Sequence, residues 1–181
     1  MSVDYFGKYF SDKGFDFYAL INDDFFQPIR ILFQNQHYVS AAKLLFIAID
    51  SISYIEFGET KENTFIKWLN TYADITKFGI TPEELWEHRN SLLHMSNLNS
   101  RKIIQGKVRK LILYVGHLPE SISLDEPETG YYDLQKLIIH IGQACYKWLD
   151  TYGKFREKID LFVKRYDLIA SDARMLRIEM K

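Results

Sequence analysis

Residues 86–97 read WEHRNSLLHMSN and hold three polar side chains of distinct chemistry, Arg89, Asn90 and His94. A histidine moves protons near neutral pH. A guanidinium is permanently charged and meets phosphate oxygens in a two-pronged way. An amide orients either partner or donates to a phosphate. Together these types suit cleavage of RNA without a metal. The ribose 2′-hydroxyl attacks the neighbouring phosphate, a base removes its proton, an acid protonates the leaving oxygen, and a cation stabilises the phosphorane. One histidine supplies the acid or the base but not both, so two copies facing each other across a dimer would complete the set. The ordinary alternative is a surface arginine paired with Glu84 or Glu87, and a half-buried histidine bonded to backbone.

The element that must carry these residues is the best-marked helix in the chain. In TPEEL, Thr81 suits an N-cap, Pro82 the first helical position and Glu84 the third position of a capping box. On a helix of about 3.6 residues per turn, Asn90 and His94 share a face. Arg89 lies roughly 140° from His94 and reaches that face only by the length of its side chain. Leu85, Trp86 and Leu92 supply packing positions beside the polar trio.

The other elements follow from apolar spacing. Phe25, Ile29, Leu32 and Phe33 predict a helix from Asp24 to Asn35, with Pro28 in its first turn or kinking it. SAAKLLFIAIDSISYIEF is apolar almost all round, which predicts a central helix packed on several sides and ending at Gly58. A third helix is expected over 62–76, with Phe65, Ile66, Leu69, Tyr72 and Ala73 inward and Phe78-Gly79 ending it. KVRKLILYVGHL then reads as a strand, with SISL (121–124) as a short pairing strand inside an acidic loop. Helical spacing returns in YYDLQKLIIHIGQACYKWLDTY and in FREKIDLFVKRYDLIA. Residues 1–22 are aromatic-rich and give no clear element.

RNSLLH, Arg89 to His94, resembles the Arg, polar residue, three residues, His motif of the HEPN superfamily. The surroundings resemble it too, since the apolar helix holding Asp50 (LLFIAIDSISY) precedes the motif helix by one further helix. The resemblance covers residues 24–150. It implies an all-α, HEPN-like helical bundle, with the small β-hairpin inserted after the motif helix, and a homodimer. It also implies a metal-independent endoribonuclease without cofactors, of the kind found in toxin–antitoxin and defence systems. Carried over by position, Arg89 and His94 would be catalytic, Asn90 their polar support and Asp50 a supporting acid facing the motif. The same resemblance admits a non-catalytic dimerisation or nucleotide- or protein-binding module. Residues 1–22 and about 151–181 have no counterpart in it, so the chain reads as one domain, 1–181, with extensions at both ends.

An acid amid LLFIAI is costly to bury alone, and pairing Asp50 with Arg89 would reconcile both residues. Arg101, Lys102, Lys107, Arg109 and Lys110 form a basic run without an acid, either a solvated edge or an RNA-tracking patch. Glu84 and His88 lie one turn apart but lack a third metal ligand. Tyr131 and Tyr132 read first as core and second as base-stacking rings. Cys145 reads as a small buried hydrophobe.

The net charge of −1 excludes a generally cationic nucleic-acid binder. Absent glycine-rich phosphate loops, CxxC pairs, HExxH and nucleophile elbows argue against NTPases, zinc proteins, metalloproteases and serine hydrolases. With neither a signal-like N-terminus nor a membrane-length apolar run, a soluble cytoplasmic protein is expected, with RNA and a protein antitoxin among its partners and no membrane.

Overall fold

The computed structural model describes residues 7–95, 98–122, 126–155 and 157–170. The N-terminal segment opens with a single 3₁₀ turn and a minimal antiparallel hairpin, β1 (Phe10–Ser11) and β2 (Gly14–Phe15). Tyr9 is buried, Phe15 and Phe17 are partly covered, and Phe10 is exposed. Phe17 heads α1 (Phe17–Ile21), stacks on Tyr152 at 5.6 Å and meets Phe162 edge-on at 4.9 Å. Asp16 caps α1 by accepting from the Ala19 amide at 2.9 Å. A π turn over Asn22–Phe26 leads into α2 (Gln27–Gln34), whose first turn holds Pro28 as its spacing predicts.

The helix α3 (Tyr38–Phe57) is the centre of the molecule, touching α2 on one side and α4 (Thr64–Tyr72) on another. Small Ala41, Ala42 and Ala48 are fully buried along it, which lets neighbouring helices approach closely. By length and composition α3 could cross a membrane, with mean hydropathy 1.4, contrary to the expectation that no run qualifies. Half of that window is buried inside this fold, as in the core helix of a folded domain. Gly58 closes α3 with φ 66° and ψ −156°, a region essentially reserved for glycine. A Cβ there would stand 2.9 Å from the Arg165 guanidinium, which donates to the Ile55 and Glu56 carbonyls at 2.8 and 2.6 Å. Gly58→Ala is therefore expected to cost about 1–3 kcal/mol. Urea unfolding would show it as a lowered midpoint, and an unchanged midpoint would refute the strain.

The expected third helix is shorter than 62–76. It starts at the Asn63 cap and ends at Tyr72, where Ala73 leaves helical geometry at φ −131°. Its buried face is Phe65, Trp68, Leu69 and Ala73, whereas Ile66 and Tyr72 are only partly covered. Gly79 closes the following 3₁₀ turn in left-handed conformation. Next come α5 (Pro82–Asn90), a π turn over Ser91–Met95, and the short α6 (Arg101–Ile104).

The expected β-hairpin after the motif helix is instead a parallel pair. Strand β3 (Lys110–Tyr114) runs beside β4 (Thr129–Asp133), from Lys110 opposite Thr129 to Tyr114 opposite Asp133. A tight turn cannot join parallel strands, but a connection of about a dozen residues can. Residues 115–128 supply it, and the strand expected at 121–124 is not the partner. Ser121 and Ile122 lie in a turn, and 123–125 fall outside the described residues. Gly130 allows the pairing, since a Cβ there would come within 2.7 Å of a Leu111 methyl. Asp133 then caps α7 (Leu134–Lys154), accepting from the Lys136 amide at 3.0 Å, so the helix expected from Tyr131 starts later. The last described element, α8 (Glu157–Ala170), returns across α3 and buries Phe162 and Tyr166.

Candidate functional site

The capping box read from TPEEL is formed in full. The Thr81 amide donates to Glu84 Oε2 at 2.8 Å, and the Glu84 amide donates to Thr81 Oγ1 at 3.2 Å. This fixes the start of α5 and hence which way its residues point. One face buries Glu84, Glu87, His88 and Ser91, and the opposite side presents Trp86 toward α4 and Arg89 toward α3.

Arg89 sits at the centre of a four-residue cluster. Its Nε and Nη2 donate to Asp50 Oδ2 at 2.7 and 2.5 Å, and its Nη1 donates to Asn90 Oδ1 at 2.9 Å and to His94 Nε2 at 3.2 Å. The guanidinium carbon lies 4.9 Å from the Trp86 ring centre, and Trp86 packs on Phe65 at 5.3 Å. Asp50 and Arg89 are 26% and 17% exposed, so the ion pair is largely shielded from solvent. Burial pushes the Asp50 carboxyl up, against the hydrogen bonds and charge of Arg89. Arg89 therefore pairs with Asp50 and not with Glu84 or Glu87, which take Arg109 and Lys102.

Backbone geometry explains how Arg89 and His94 meet. An α-helix would leave them roughly 140° apart. The π turn over Ser91–Met95 widens the helix to i→i+5 spacing, which brings residues five apart onto one side. Arg89 and His94 have that separation. A guanidinium has only donors, so His94 Nε2 accepts here and the ring carries its proton on Nδ1. His94 is solvent-exposed while Arg89 and Asn90 are half-buried, so the cluster opens to the surface at its histidine. Chemically it offers a fixed cation, an amide and an exposed imidazole with its basic nitrogen inward.

The basic run lies elsewhere. Arg109 donates to Glu84 Oε1 at 2.6 Å and to the Gly79 carbonyl at 2.7 Å, and Lys102 pairs with Glu87 at 3.0 Å. These two cations neutralise acids that are 6% and 5% exposed. The face of α5 that they meet is turned roughly 140–160° from Arg89. Arg101 and Lys107 are exposed, and Lys107 lines a cleft of about 560 Å³ with Lys110 and Glu128. The signal for this arrangement was present in the sequence as Glu84 and Glu87, one turn apart before an acid-free basic segment.

His88 is fully buried, its Nε2 3.0 Å from the Tyr132 hydroxyl, and burial lowers its pKa to about 4. Tyr132 is itself core at 1% exposure, and buried Cys145 is a free thiol whose pKa burial raises. Among the described residues no group of three His, Cys, Asp or Glu could hold a metal ion. The sequence reading gave Trp86 only a packing role, and the stacked guanidinium is an addition from the structure. No protein-family model, curated protein or solved structure matches this chain.

Proposed function

We propose that the Asp50–Arg89–Asn90–His94 cluster is the active site of a metal-independent endoribonuclease of HEPN type, acting as a homodimer in a toxin–antitoxin or defence role. The observation that carries this reading is the convergence of Asp50, Asn90 and His94 on the Arg89 guanidinium at 2.5–3.2 Å. Asp50 and Trp86 hold the cation, and Asn90 steadies one of its nitrogens. A phosphate oxygen accepting from Nη1 would displace His94 and free Nε2. That nitrogen takes the 2′-hydroxyl proton as the 2′-oxygen–phosphorus bond forms. The bond to the 5′-oxygen breaks, and the His94 of a second copy, entering as the imidazolium, protonates the departing oxygen. Products are a 2′,3′-cyclic phosphate and a 5′-hydroxyl.

The test is cleavage of a mixed single-stranded and structured RNA panel in EDTA, with end analysis. Wild type should give cyclic-phosphate ends, and folded His94→Ala and Arg89→Ala should each lose at least about 10²-fold in rate. Activity abolished by EDTA and restored by metal, or equal cleavage by all three proteins, would sink the mechanism. The competing reading is a non-catalytic dimerisation or nucleotide- or protein-binding module. It draws on one observation, that four of the five Arg89 N–H donors are spent inside the chain. Under it, His94→Ala changes partner affinity or dimerisation and there is no turnover to lose.

A further inference from the structure

Asp50 has a second neighbourhood. Beside it, α3 and the end of α8 border a shallow, open recess of about 320 Å³ lined by Asp50, Ser51, Tyr54, Leu168 and Ile169. Only Oδ2 of Asp50 is used by Arg89. Oδ1 accepts no hydrogen bond among the described residues. Asp50 and Tyr54 are four apart on α3, so the acceptor and the phenol ring rise from one face, one turn apart. Leu168 and Ile169 form an apolar wall contributed by α8, and Leu168 is 69% exposed. An acceptor, a hydroxyl, an aromatic ring and an aliphatic wall together suit a flat heterocycle carrying an amino group.

We infer that this recess is a nucleobase subsite, taking the base next to the phosphate at Arg89 and favouring adenine, cytosine and guanine over uracil. The inference rests on the ribonuclease reading for its substrate, because the same carboxylate lines the recess and holds Arg89. Asp50 links the two places: its Oδ2 holds the guanidinium, and the same residue lines the recess beside Tyr54. The exocyclic amine of adenine, cytosine or guanine donates to Asp50 Oδ1, as carboxylates accept from cytosine amines elsewhere. Uracil has no amine, and its N3–H is flanked by two carbonyl oxygens that would face the carboxylate. Ser51 adds a hydroxyl able to donate or accept. Tyr54 supplies stacking, which every base can use.

The experiment titrates the full chain with the four nucleoside 3′-monophosphates, and with inorganic phosphate alone, following side-chain and backbone NMR shifts. The three amino-bearing nucleotides should bind at least about 5-fold more tightly than the uridine nucleotide. Tyr54→Ala should weaken them by about 10-fold and leave inorganic phosphate unaffected, while Tyr54→Phe, which keeps the ring, should retain most affinity. Thermal melts check that both variants fold. Equal affinity for all four nucleotides, binding to none of them, or an unchanged affinity in folded Tyr54→Ala would overturn the subsite. RNA cleavage in EDTA is measured alongside. Base-selective binding without cleavage keeps the subsite and refutes the ribonuclease, whereas cleavage without base preference does the reverse.

Discussion

Glu56→Ala should lower the unfolding free energy by about 3–5 kcal/mol, the largest loss expected from any single truncation of a polar side chain in this chain. The Glu56 carboxylate is 9% exposed and joins four helices. Tyr72 of α4 donates to it at 2.8 Å, Trp148 of α7 at 2.9 Å and Lys158 of α8 at 2.7 Å. Lys158 also donates to Thr151 at 2.9 Å. Burial pushes this carboxyl up, but the hydrogen bonds from Lys158, Trp148 and Tyr72 outweigh it and hold the group below the ordinary glutamate range. Removing it leaves a shielded ammonium without a counter-ion, and the buried Trp148 indole and half-buried Tyr72 hydroxyl without their acceptor, each costly on its own. For a chain of this size the melting temperature should fall by roughly 6–20 °C. Calorimetry on Glu56→Ala, Lys158→Met and the double variant checks the account. The double variant should recover part of the loss, because no ammonium is then stranded. A loss under about 1 kcal/mol in Glu56→Ala would mean that water or a rearranged Lys158 satisfies the site.

The second large effect is on acid stability and comes from His88. Its ring is fully buried between Phe46 and Tyr132, at 5.6 Å from each ring centre, and among the described residues no hydrogen-bond partner reaches Nδ1. Burial lowers its pKa from 6.5 to about 4. The folded value is below the unfolded one, so between these pH values the unfolded chain binds more protons and stability falls as pH falls. Above about pH 6.5 both states are neutral and the full stability is present. Across the window to about pH 4 the loss amounts to roughly 3 kcal/mol. Glu56 adds to acid lability with the same sign, its contribution being present above the ordinary glutamate pKa and lost as pH falls through its depressed folded value. Urea unfolding at pH 4 to 7 isolates His88 by comparing wild type with the His88→Phe/Tyr132→Phe variant, which removes both hydrogen-bonding partners together. The variant should lose stability less steeply between pH 6.5 and 4. Parallel curves for the two proteins would show that His88 is protonated in the folded state, or that it does not titrate in this window.

The placement of the candidate site has a related physical cause. Arg89 faces α3 because Glu84, Glu87 and His88 claim the other side of α5. Arg109 and Lys102 neutralise those acids, so a segment that reads as a nucleic-acid patch is partly spent on folding. The site is left with one shielded ion pair and an exposed imidazole. Its electrostatics are local, consistent with a chain of net charge −1.

What the sequence determined by itself is local. Thr81, Pro82 and Glu84 fix the start of α5 through contacts within four residues, and Gly58 marks the end of α3 by a backbone conformation that side chains disfavour. The largely apolar character of LLFIAIDSISY makes α3 central, and covering Asp50 there demands a cation, which proved to be Arg89. Pairings that depend on distant chain were decided by tertiary structure. β3 takes Thr129–Asp133 as a parallel partner because Gly130 admits Leu111 and the 115–128 connection is long enough, and periodicity near 121–124 carries no trace of that choice. Phe17 is held by Tyr152 and Phe162, more than a hundred positions away. The meeting of Arg89 with His94 belongs to both levels. Their spacing is written in RNSLLH, but an α-helix would hold them apart, and only the widened turn at Ser91–Met95 sets one against the other.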